Sequence, residues 1–420
     1  MRKTGKYTLT YLIFGGLFLG IAAGFIFGES IIPVAEPLAE IFLRLLRMAI
    51  IPLVITSVTS AVIQVGSAYG LGRMSIRTLA YYVLTSLTAI ITGQVLVNIF
   101  KPGVGAEIGL EAAPDSILAV ERGLGDILIN IIPENPIGAA ASGDVLPVIF
   151  FSILFGYFVT LLKKEQRNTL GNFFEAAFEA MMKMTTFVIW SAPLGVFGII
   201  AKIVARTGFS AFSSLGFYFI IVLAGLAIHM FITLPTLLWT LGRVNPVSHY
   251  RGMLPAIFTA FSTCSTIVTL PLTMKAVTEH SGASKKAAGF VLPIGATLNM
   301  DGTALYECVA TIFIAQVYGF DLSFSAQVTI ALTAVLASIG AASIPMSGMV
   351  MMSIILGAVG LPLEGVAIIL AVDRILDMFR TTANVFSDSV GAVIISRYEE
   401  RAEQRDRLSK ARKQKNRLKE

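Results

Sequence analysis

The chain has 420 residues, of which 55% are hydrophobic and only 14% are charged, with a formal net charge of +6. Soluble domains carry about 25% charged residues, so this composition excludes an ordinary soluble protein and predicts a polytopic membrane protein. The basic residues lie mainly at the chain ends and in short loops, which is typical of membrane topology, and we expect no nucleic-acid partner.

The first part of the chain contains six apolar segments, each long enough to cross a hydrocarbon core of roughly 30 Å. They are 8–28, 39–65, 76–100, 145–162, 172–205 and 210–242. Basic residues precede the first segment and follow the second and the fourth, whereas the loop 101–144 is acidic. The positive-inside rule therefore predicts a multi-pass plasma-membrane protein with both termini in the cytoplasm and this loop outside.

Two later segments, 253–279 and 325–361, are apolar but are interrupted by small and polar residues. We predict that each is a re-entrant helical hairpin that enters and leaves on the same side; the alternative is a pair of kinked ordinary helices. Irregular backbone at membrane depth is tolerated only where it is buried in protein or lines a cavity. The hairpins would frame two spans, 286–316 and 363–396, and broken segments of this kind indicate the binding site of a transporter.

The span 286–316 contains the sequence GATLNMDGT, which places Asn299, Asp301 and Thr303 beside helix-weakening glycines. This pattern predicts local unwinding, which frees backbone carbonyls to join carboxylates around a hard cation such as sodium. Glu307 follows one turn after Thr303, and a lone intramembrane glutamate is a candidate proton carrier. The alternative is a neutral glutamate that is hydrogen-bonded to a neighbouring helix.

The span 363–396 carries charged and polar side chains on one continuous helical stripe. The stripe consists of Asp373, Asp377, Arg380, Thr381, Asn384 and Asp388. The four charged residues of the stripe and Arg374 give this region five ionised side chains. Exposing all five to lipid would cost on the order of 12 to 17 kcal/mol, so they must face protein or water. A purely structural ion-pair network is the alternative, but it needs no hydroxyl or amide groups between its charges. The stripe therefore predicts a site for a small zwitterion and its cations.

The NMDGT sequence, the two interrupted hairpins and the polar stripe together resemble the glutamate transporter family of sodium-coupled dicarboxylate and amino-acid symporters. The resemblance covers nearly the whole chain and is most specific over residues 253–396, and YYVLTS at 81–86 also looks like the family's third span. It implies an all-α polytopic membrane protein with eight transmembrane helices plus two re-entrant hairpins. It also implies a homotrimer in which a transport domain moves along a scaffold as an elevator.

The same resemblance implies a division of the chain into domains. The scaffold comprises helices one and two, at 1–75, and helices four and five, at 145–205. The transport domain comprises helix three, at 76–100, and the rest of its elements, at 206–396. The extracellular loop with the start of helix four occupies 101–144, and a basic, mixed-charge cytoplasmic tail occupies 397–420.

The resemblance implies that Asp377 holds the amino group of the substrate and that Arg380 holds its side-chain carboxylate, which suits the bidentate geometry of a guanidinium. The other substrate-binding candidates are Thr381, Asn384, Thr303, Ser265, Thr266, Ser343 and Ile344. C4-dicarboxylate carriers of the family lack the aspartate and neutral amino-acid carriers lack the arginine, so their joint presence implies aspartate or glutamate. Arg374 is a candidate auxiliary charge, because Cys264 and Met378 stand where the family usually places a further arginine.

The resemblance also implies three places for sodium. The first comprises Gly295, Asn299, Asn384 and Asp388. The second comprises Tyr82, Thr85, Ser86, Asn299 and Asp301. The third comprises Thr297, Met300, Ser338, Ile339 and Ala341, largely through their carbonyl groups. The hairpin 325–361 would close over the loaded site as an outer gate. Glu307 stands where proton-coupled, potassium-countertransporting members carry glutamate, so the proton and potassium are candidate coupled ions beside sodium.

We therefore predict a secondary-active, sodium-coupled symporter for L-aspartate or L-glutamate, and not an enzyme. The alternatives within transport are a C4-dicarboxylate carrier and a neutral amino-acid carrier. An anion channel is an alternative of another class, because the polar stripe can line a pore. An intramembrane enzyme is disfavoured, since no histidine or lysine base lies at helical spacing from Cys264, Ser265 or Asp301.

The cysteines and histidines offer no further site in the sequence. Cys264 and Cys308 lie in apolar surroundings without the spacing of a disulfide framework or of metal ligands. His229, His249 and His280 are scattered, so we predict packing or loop-surface positions for all of these residues.

Overall fold

All regular elements in the described part of the chain are helices, which confirms the all-α fold class. The computed structural model describes residues 4–69, 73–106, 129, 131–208, 210–340 and 347–417. The α-helices are α1 Thr4–Phe27, α2 Ile32–Tyr69, α3 Arg73–Phe100, α4 Pro136–Ser142, α5 Val145–Thr160, α6 Lys164–Trp190, α7 Ala192–Thr207, α8 Ser210–Ile228, α9 Leu234–Leu237, α10 Pro246–Thr263, α11 Thr266–His280, α12 Lys285–Leu298, α13 Asp301–Val317, α14 Phe324–Gly340, α15 Ser347–Ala358 and α16 Gly365–Arg417. A 3-10 turn, Gly28–Ile31, precedes α2, and π-helical turns, His229–Thr233 and Leu238–Gly242, flank α9.

Several of these helices have the length and composition of membrane spans. Among the described residues, three helical stretches are long and apolar enough to cross a membrane, namely Tyr11–Gln64, Met74–Phe100 and Ser214–Gly242. Helices α6 and α7 pass the same test jointly but are bent by 44°. The bend falls within the predicted span 172–205. It arises because Pro193, in the first turn of α7, has no N–H with which to continue α6.

Two groups of helices pack within themselves more extensively than against each other. In the first group, α7 lies along α1 and α2, and α2 also contacts α5 and α6. In the second group, α16 packs against α8, α10, α11, α12 and α13, while α13 also lies along α3. Helices α14 and α15 pack against each other and against α13. The site described below therefore lies within one group of helices, around α13 and α16.

Helix α1 approaches α7 along three glycines. A methyl group at Gly16 would lie 2.3 Å from the carbonyl oxygen of Pro193, and one at Gly20 would lie 2.8 Å from the carbonyl oxygen of Phe197. Gly24 has the same close contact with α7, 2.8 Å from the carbonyl oxygen of Ala201. Backbone oxygens cannot move aside as flexible side chains do, so these glycines set the distance between the two helices.

We expect Gly16→Ala to lower the thermal unfolding temperature of the detergent-solubilised protein, because the added methyl group forces α1 away from α7. Overpacking of this kind costs about 1–3 kcal/mol. The matched control is Gly15→Ala, since a methyl group at Gly15 meets nothing within 4 Å. Both changes bring the same gain in helix propensity, so the difference between their unfolding temperatures reports the steric clash between the added methyl group and α7. A Gly16→Ala unfolding temperature equal to that of Gly15→Ala would contradict this packing.

The segment 253–279 is broken into two helices at a two-residue turn, as predicted. Cys264 ends α10 with a φ of 48°, in the left-handed region, and Ser265 caps α11 by accepting a hydrogen bond from the Val268 N–H at 3.3 Å. Helices α10 and α11 then pack against each other. The turn that joins α14 to α15, residues 341–346, lies outside the described residues.

The first turn of α14 is bound to α3 through a reciprocal pair of side-chain amides. The Asn98 Nδ2 donates to Gln327 Oε1 at 2.8 Å, and the Gln327 Nε2 donates back to Asn98 Oδ1 at 3.3 Å. Gln94 adds a hydrogen bond of 2.9 Å to the backbone carbonyl of Gln327. These contacts fix one end of α14 on a neighbouring helix.

Candidate functional site

The helical rod formed by α12 and α13 is interrupted at Asn299 and Met300. Asn299 has φ −108° and ψ 97°, and Met300 has φ −122° and ψ 56°, so both residues leave the α region. This break confirms the local unwinding predicted from the sequence. It places a helix C-terminus and a helix N-terminus side by side within the protein, where the backbone no longer pairs along one continuous helix.

The Asp301 carboxylate, at the start of α13, is fully buried and is surrounded by polar groups from several elements. Its Oδ1 accepts a hydrogen bond from Ser86 Oγ at 2.7 Å and lies 3.3 Å from Thr85 Oγ1. Its Oδ2 accepts a hydrogen bond from Ser387 Oγ at 2.5 Å and lies 3.3 Å from His229 Nε2. The structure thus brings Thr85 and Ser86 to Asp301, two of the residues that the resemblance groups with it, and adds Ser387 and His229.

Asn299 and Asp388 form a second polar cluster. The Asn299 Nδ2 donates to Asp388 Oδ1 at 2.9 Å and to Ser387 Oγ at 3.1 Å, whereas Asn299 Oδ1 is buried without a hydrogen-bond partner among the described residues. A methyl group at Gly295 would lie 2.4 Å from Asp388 Oδ1 and 2.6 Å from the Tyr82 hydroxyl, so only glycine fits there. Carboxylate and amide oxygens are suitable ligands for a hard cation such as sodium.

The third predicted sodium place is described only in part. Thr297 Oγ1 donates to carbonyl groups of its own helix, and Met300 lies at the helix break. The structure describes only the backbone of Ser338 and Ile339 at the end of α14, and Ala341 lies outside the described residues. This place stays a prediction.

Arg380 lies on α16 and is buried, with only 1% of its surface exposed. Its Nη2 lies 3.0 Å from Asp373 Oδ1 and 3.2 Å from Asp377 Oδ1. The guanidinium lies 3.9 Å from the centre of the Tyr306 ring, whose hydroxyl donates to Asp373 Oδ1 at 2.7 Å. Nε and Nη1 have no hydrogen-bond partner in the described part of the chain, and a methyl group at Gly348 would lie 2.4 Å from Nη1. These two nitrogens are therefore available to a carboxylate, and Nη1 faces Gly348 of α15.

Asp377 lies between two arginines, and 24% of its side chain is exposed. Its Oδ2 is 3.4 Å from Nη1 of Arg374, which places the proposed auxiliary charge next to the site. One turn beyond Arg380, Asn384 joins α16 to α13: its Oδ1 accepts from the Gly302 N–H at 2.8 Å, and its Nδ2 donates to Thr303 Oγ1 at 3.2 Å. The stripe on α16 and the helix break therefore form one continuous polar site.

The other substrate candidates are brought to this site only in part. Thr381 is buried on α16. Thr266 Oγ1 donates to the Ala296 carbonyl at 2.8 Å, which ties the turn between α10 and α11 to α12, and Ser265 caps α11. Ser343 and Ile344 lie outside the described residues.

Glu307 is fully buried on α13, and neither of its carboxylate oxygens has a hydrogen-bond partner among the described residues. The alternative of a glutamate hydrogen-bonded to a neighbouring helix therefore finds no partner in this part of the structure. A buried carboxylate without a partner is unfavourable unless it takes up a proton. The geometry suits a proton carrier, and that role stays a prediction.

The predicted packing or loop-surface role is too coarse for two histidines. His249 is buried, with its Nδ1 2.6 Å from Ser281 Oγ and its Nε2 2.9 Å from Ser389 Oγ. His229 is buried against Asp301, as described above. The sequence carried one signal for His229, namely an ionisable side chain within an apolar segment of membrane-span length.

Membrane-length apolar helices, together with a buried charged site at a helix break, define a multi-pass membrane transporter. The chain belongs to the sodium:dicarboxylate symporter family, whose model matches residues 9–398. The resemblance predicted from the sequence is confirmed.

Bacterial and animal proteins share this similarity. The chain is 35% identical to a proton/sodium-glutamate symport protein of Geobacillus stearothermophilus over 408 residues, which cover 95% of this chain and 96% of the relative. It is 33% identical to a proton/glutamate-aspartate symporter of Escherichia coli (strain K12), over 97% of this chain and 96% of the relative. It is 36% identical to excitatory amino acid transporter 3 of Homo sapiens, over 85% of this chain and 78% of the relative.

Proposed function

We propose that this protein is a secondary-active symporter that carries L-aspartate or L-glutamate together with sodium. The observation that carries the proposal is the arrangement of Arg380 and Asp377, which offers two unpaired guanidinium nitrogens beside a partly exposed carboxylate. An amino acid with a side-chain carboxylate complements both groups, since the guanidinium pairs with the carboxylate and Asp377 with the ammonium. The names of the bacterial relatives, which specify glutamate and aspartate, support this substrate class.

Sodium binds at the polar clusters around Asp301 and around Asn299 and Asp388. Their buried carboxylates and the unpartnered Asn299 Oδ1 support this assignment, because such oxygens need a cation or a hydrogen-bond donor. Glu307 carries a coupled proton, in keeping with the proton-coupled names of the relatives. Potassium countertransport is a further proposal that rests on the family resemblance alone.

The proposed architecture has eight transmembrane helices and two re-entrant hairpins, in a homotrimer with both termini in the cytoplasm. Residues 1–75 and 145–205 form the scaffold, whereas 76–100 and 206–396 form a transport domain that moves as an elevator. The packing of the helices into two groups supports this division. The loop 101–144 and the tail 397–420 are assigned to neither of these two parts.

We expect proteoliposomes containing the protein to accumulate labelled L-aspartate when sodium is high outside and absent inside. Unlabelled L-glutamate should block the uptake, whereas malate and serine should not. Replacing external sodium by choline is the control and should abolish accumulation. Stronger competition by malate or serine would contradict the substrate assignment. Anion conductance without accumulation would contradict the symporter and favour the channel.

A further inference from the structure

His229 reaches the buried Asp301 carboxylate because α8 does not continue as a regular helix. The N–H of Leu234 donates to the carbonyl of His229, five residues earlier, which closes a π-helical turn at His229–Thr233. A π turn inserts an extra residue into a helix, and such insertions occur often at functional sites. The inserted turn places the imidazole Nε2 at 3.3 Å from Asp301 Oδ2.

The π turn is braced by a neighbouring helix. The Tyr250 hydroxyl, on α10, donates to the carbonyl of Met230 within the turn. The Tyr250 ring stacks on Phe386 with a centroid distance of 4.2 Å. Phe386 precedes Ser387, the other group that contacts Asp301 Oδ2. The turn that positions His229 and the helix that supplies Ser387 are therefore packed together around the same carboxylate oxygen.

The two buried histidines of the protein differ in a way that bears on their roles. His249 has both ring nitrogens bonded to serine hydroxyls, as expected for a histidine that only links helices. Only one ring nitrogen of His229, Nε2, has a hydrogen-bond partner among the described residues, and that partner is Asp301, whereas Nδ1 has none. An ionised carboxylate only accepts hydrogen bonds, so a neutral imidazole must carry its proton on Nε2 to make this contact. The ring is therefore oriented to make the Nε2 contact with Asp301, although Nδ1 is left without a hydrogen-bond partner among the described residues.

We propose that His229 is a positioning residue for sodium coupling, which holds Asp301 by donating from Nε2 to Oδ2. This inference rests on the proposed function, because the role of Asp301 as a sodium ligand is part of that proposal. With Oδ2 held by His229 and Ser387, Oδ1 is directed towards Thr85 and Ser86, where the second sodium place is predicted. Loss of the His229 donor leaves Oδ2 held by Ser387 alone among the described groups, which loosens the carboxylate and weakens sodium binding, while the substrate contacts around Arg380 remain.

The test compares His229→Met with His229→Gln in proteoliposomes. The amide nitrogen of glutamine reaches about as far as Nε2 and donates, whereas methionine has a similar length and no donor. We expect His229→Met to raise the sodium concentration for half-maximal L-aspartate uptake by about tenfold, the usual scale for a hydrogen bond to a charged group. The KM for L-aspartate at saturating sodium should stay within about twofold of the parent, because only sodium binding is weakened. His229→Gln should behave like the parent.

The outcomes separate this inference from the proposed function. If the parent protein shows no sodium-driven uptake, the proposed function fails. If the parent is active and His229→Met keeps the parental sodium dependence, the positioning role fails while the symporter stands. An equal shift in His229→Gln would also overturn the role, because the donor would then be irrelevant. If His229→Met does not fold, His229→Asn, whose amide stops short of Oδ2, replaces it with the same expected shift.

Discussion

Replacing Arg380 by methionine is expected to abolish L-aspartate uptake at concentrations that saturate the parent protein. Among the described residues, Arg380 is the only cationic side chain that is buried at the site with unpaired donors, namely Nε and Nη1. Removing one partner of a buried, hydrogen-bonded charge pair costs about 2–5 kcal/mol, which corresponds to a loss of affinity of roughly 30-fold to 5000-fold. The measurement is the concentration dependence of labelled L-aspartate uptake.

The variant Arg380→Lys separates loss of charge from loss of geometry. Lysine keeps a cation next to Asp373 and Asp377, but its single ammonium lacks the further donors that Nε and Nη1 of Arg380 offer to a third carboxylate. We therefore expect a folded protein with an L-aspartate affinity between those of the parent and Arg380→Met. Serine should compete better in Arg380→Met than in the parent, because no carboxylate is then required. Parental affinity for L-aspartate in Arg380→Met would exclude Arg380 from the substrate site.

The second large effect is expected for Asp301→Asn. The change keeps the shape of the side chain but removes the negative charge at the meeting point of α3, α13, α16 and the π turn. A charged acceptor contributes about 1.5–3 kcal/mol per hydrogen bond, so sodium affinity should fall by roughly tenfold or more. The observable is the sodium concentration for half-maximal L-aspartate uptake, or the protection by sodium against thermal unfolding.

Asp144→Asn is the matched control for this substitution. It makes the same chemical change at the N-cap of α5, where Asp144 accepts a hydrogen bond from the exposed Ser142. Sodium dependence in Asp144→Asn should equal that of the parent. If Asp301→Asn also keeps the parental sodium dependence in a folded protein, Asp301 is not a sodium ligand.

The parts of the fold and site that could be predicted from the sequence are those with local signals. The break at Asn299 and Met300 follows from glycine and short polar residues within one apolar segment. Arg380 and Asp377 are three residues apart on one helix, so helical geometry alone brings their side chains within 3.2 Å of each other. Charges that would be costly in lipid added a second, independent reason to place the site there.

The parts that could not be predicted depend on contacts between distant segments. His229 and Asp301 are separated by 72 positions, and their contact depends on a π turn whose extra residue has no sequence signal of its own. The Tyr306 ring packs on Arg380 only because α13 and α16 lie side by side. Periodicity identifies the face of a helix but not the helix that covers it, so these partners become known only from the fold.

The reciprocal amide pair of Asn98 and Gln327 determines how the helix pair α14 and α15 can bend. Parting the two side chains would break both of their mutual hydrogen bonds, and the bond from Gln94 to the Gln327 carbonyl would be lost with them. Each bond contributes about 1 kcal/mol, so together they oppose separation of the first turn of α14 from the adjoining part of α3. Any swing of this helix pair therefore pivots beyond Gln327, and its amplitude grows towards the far end of α14.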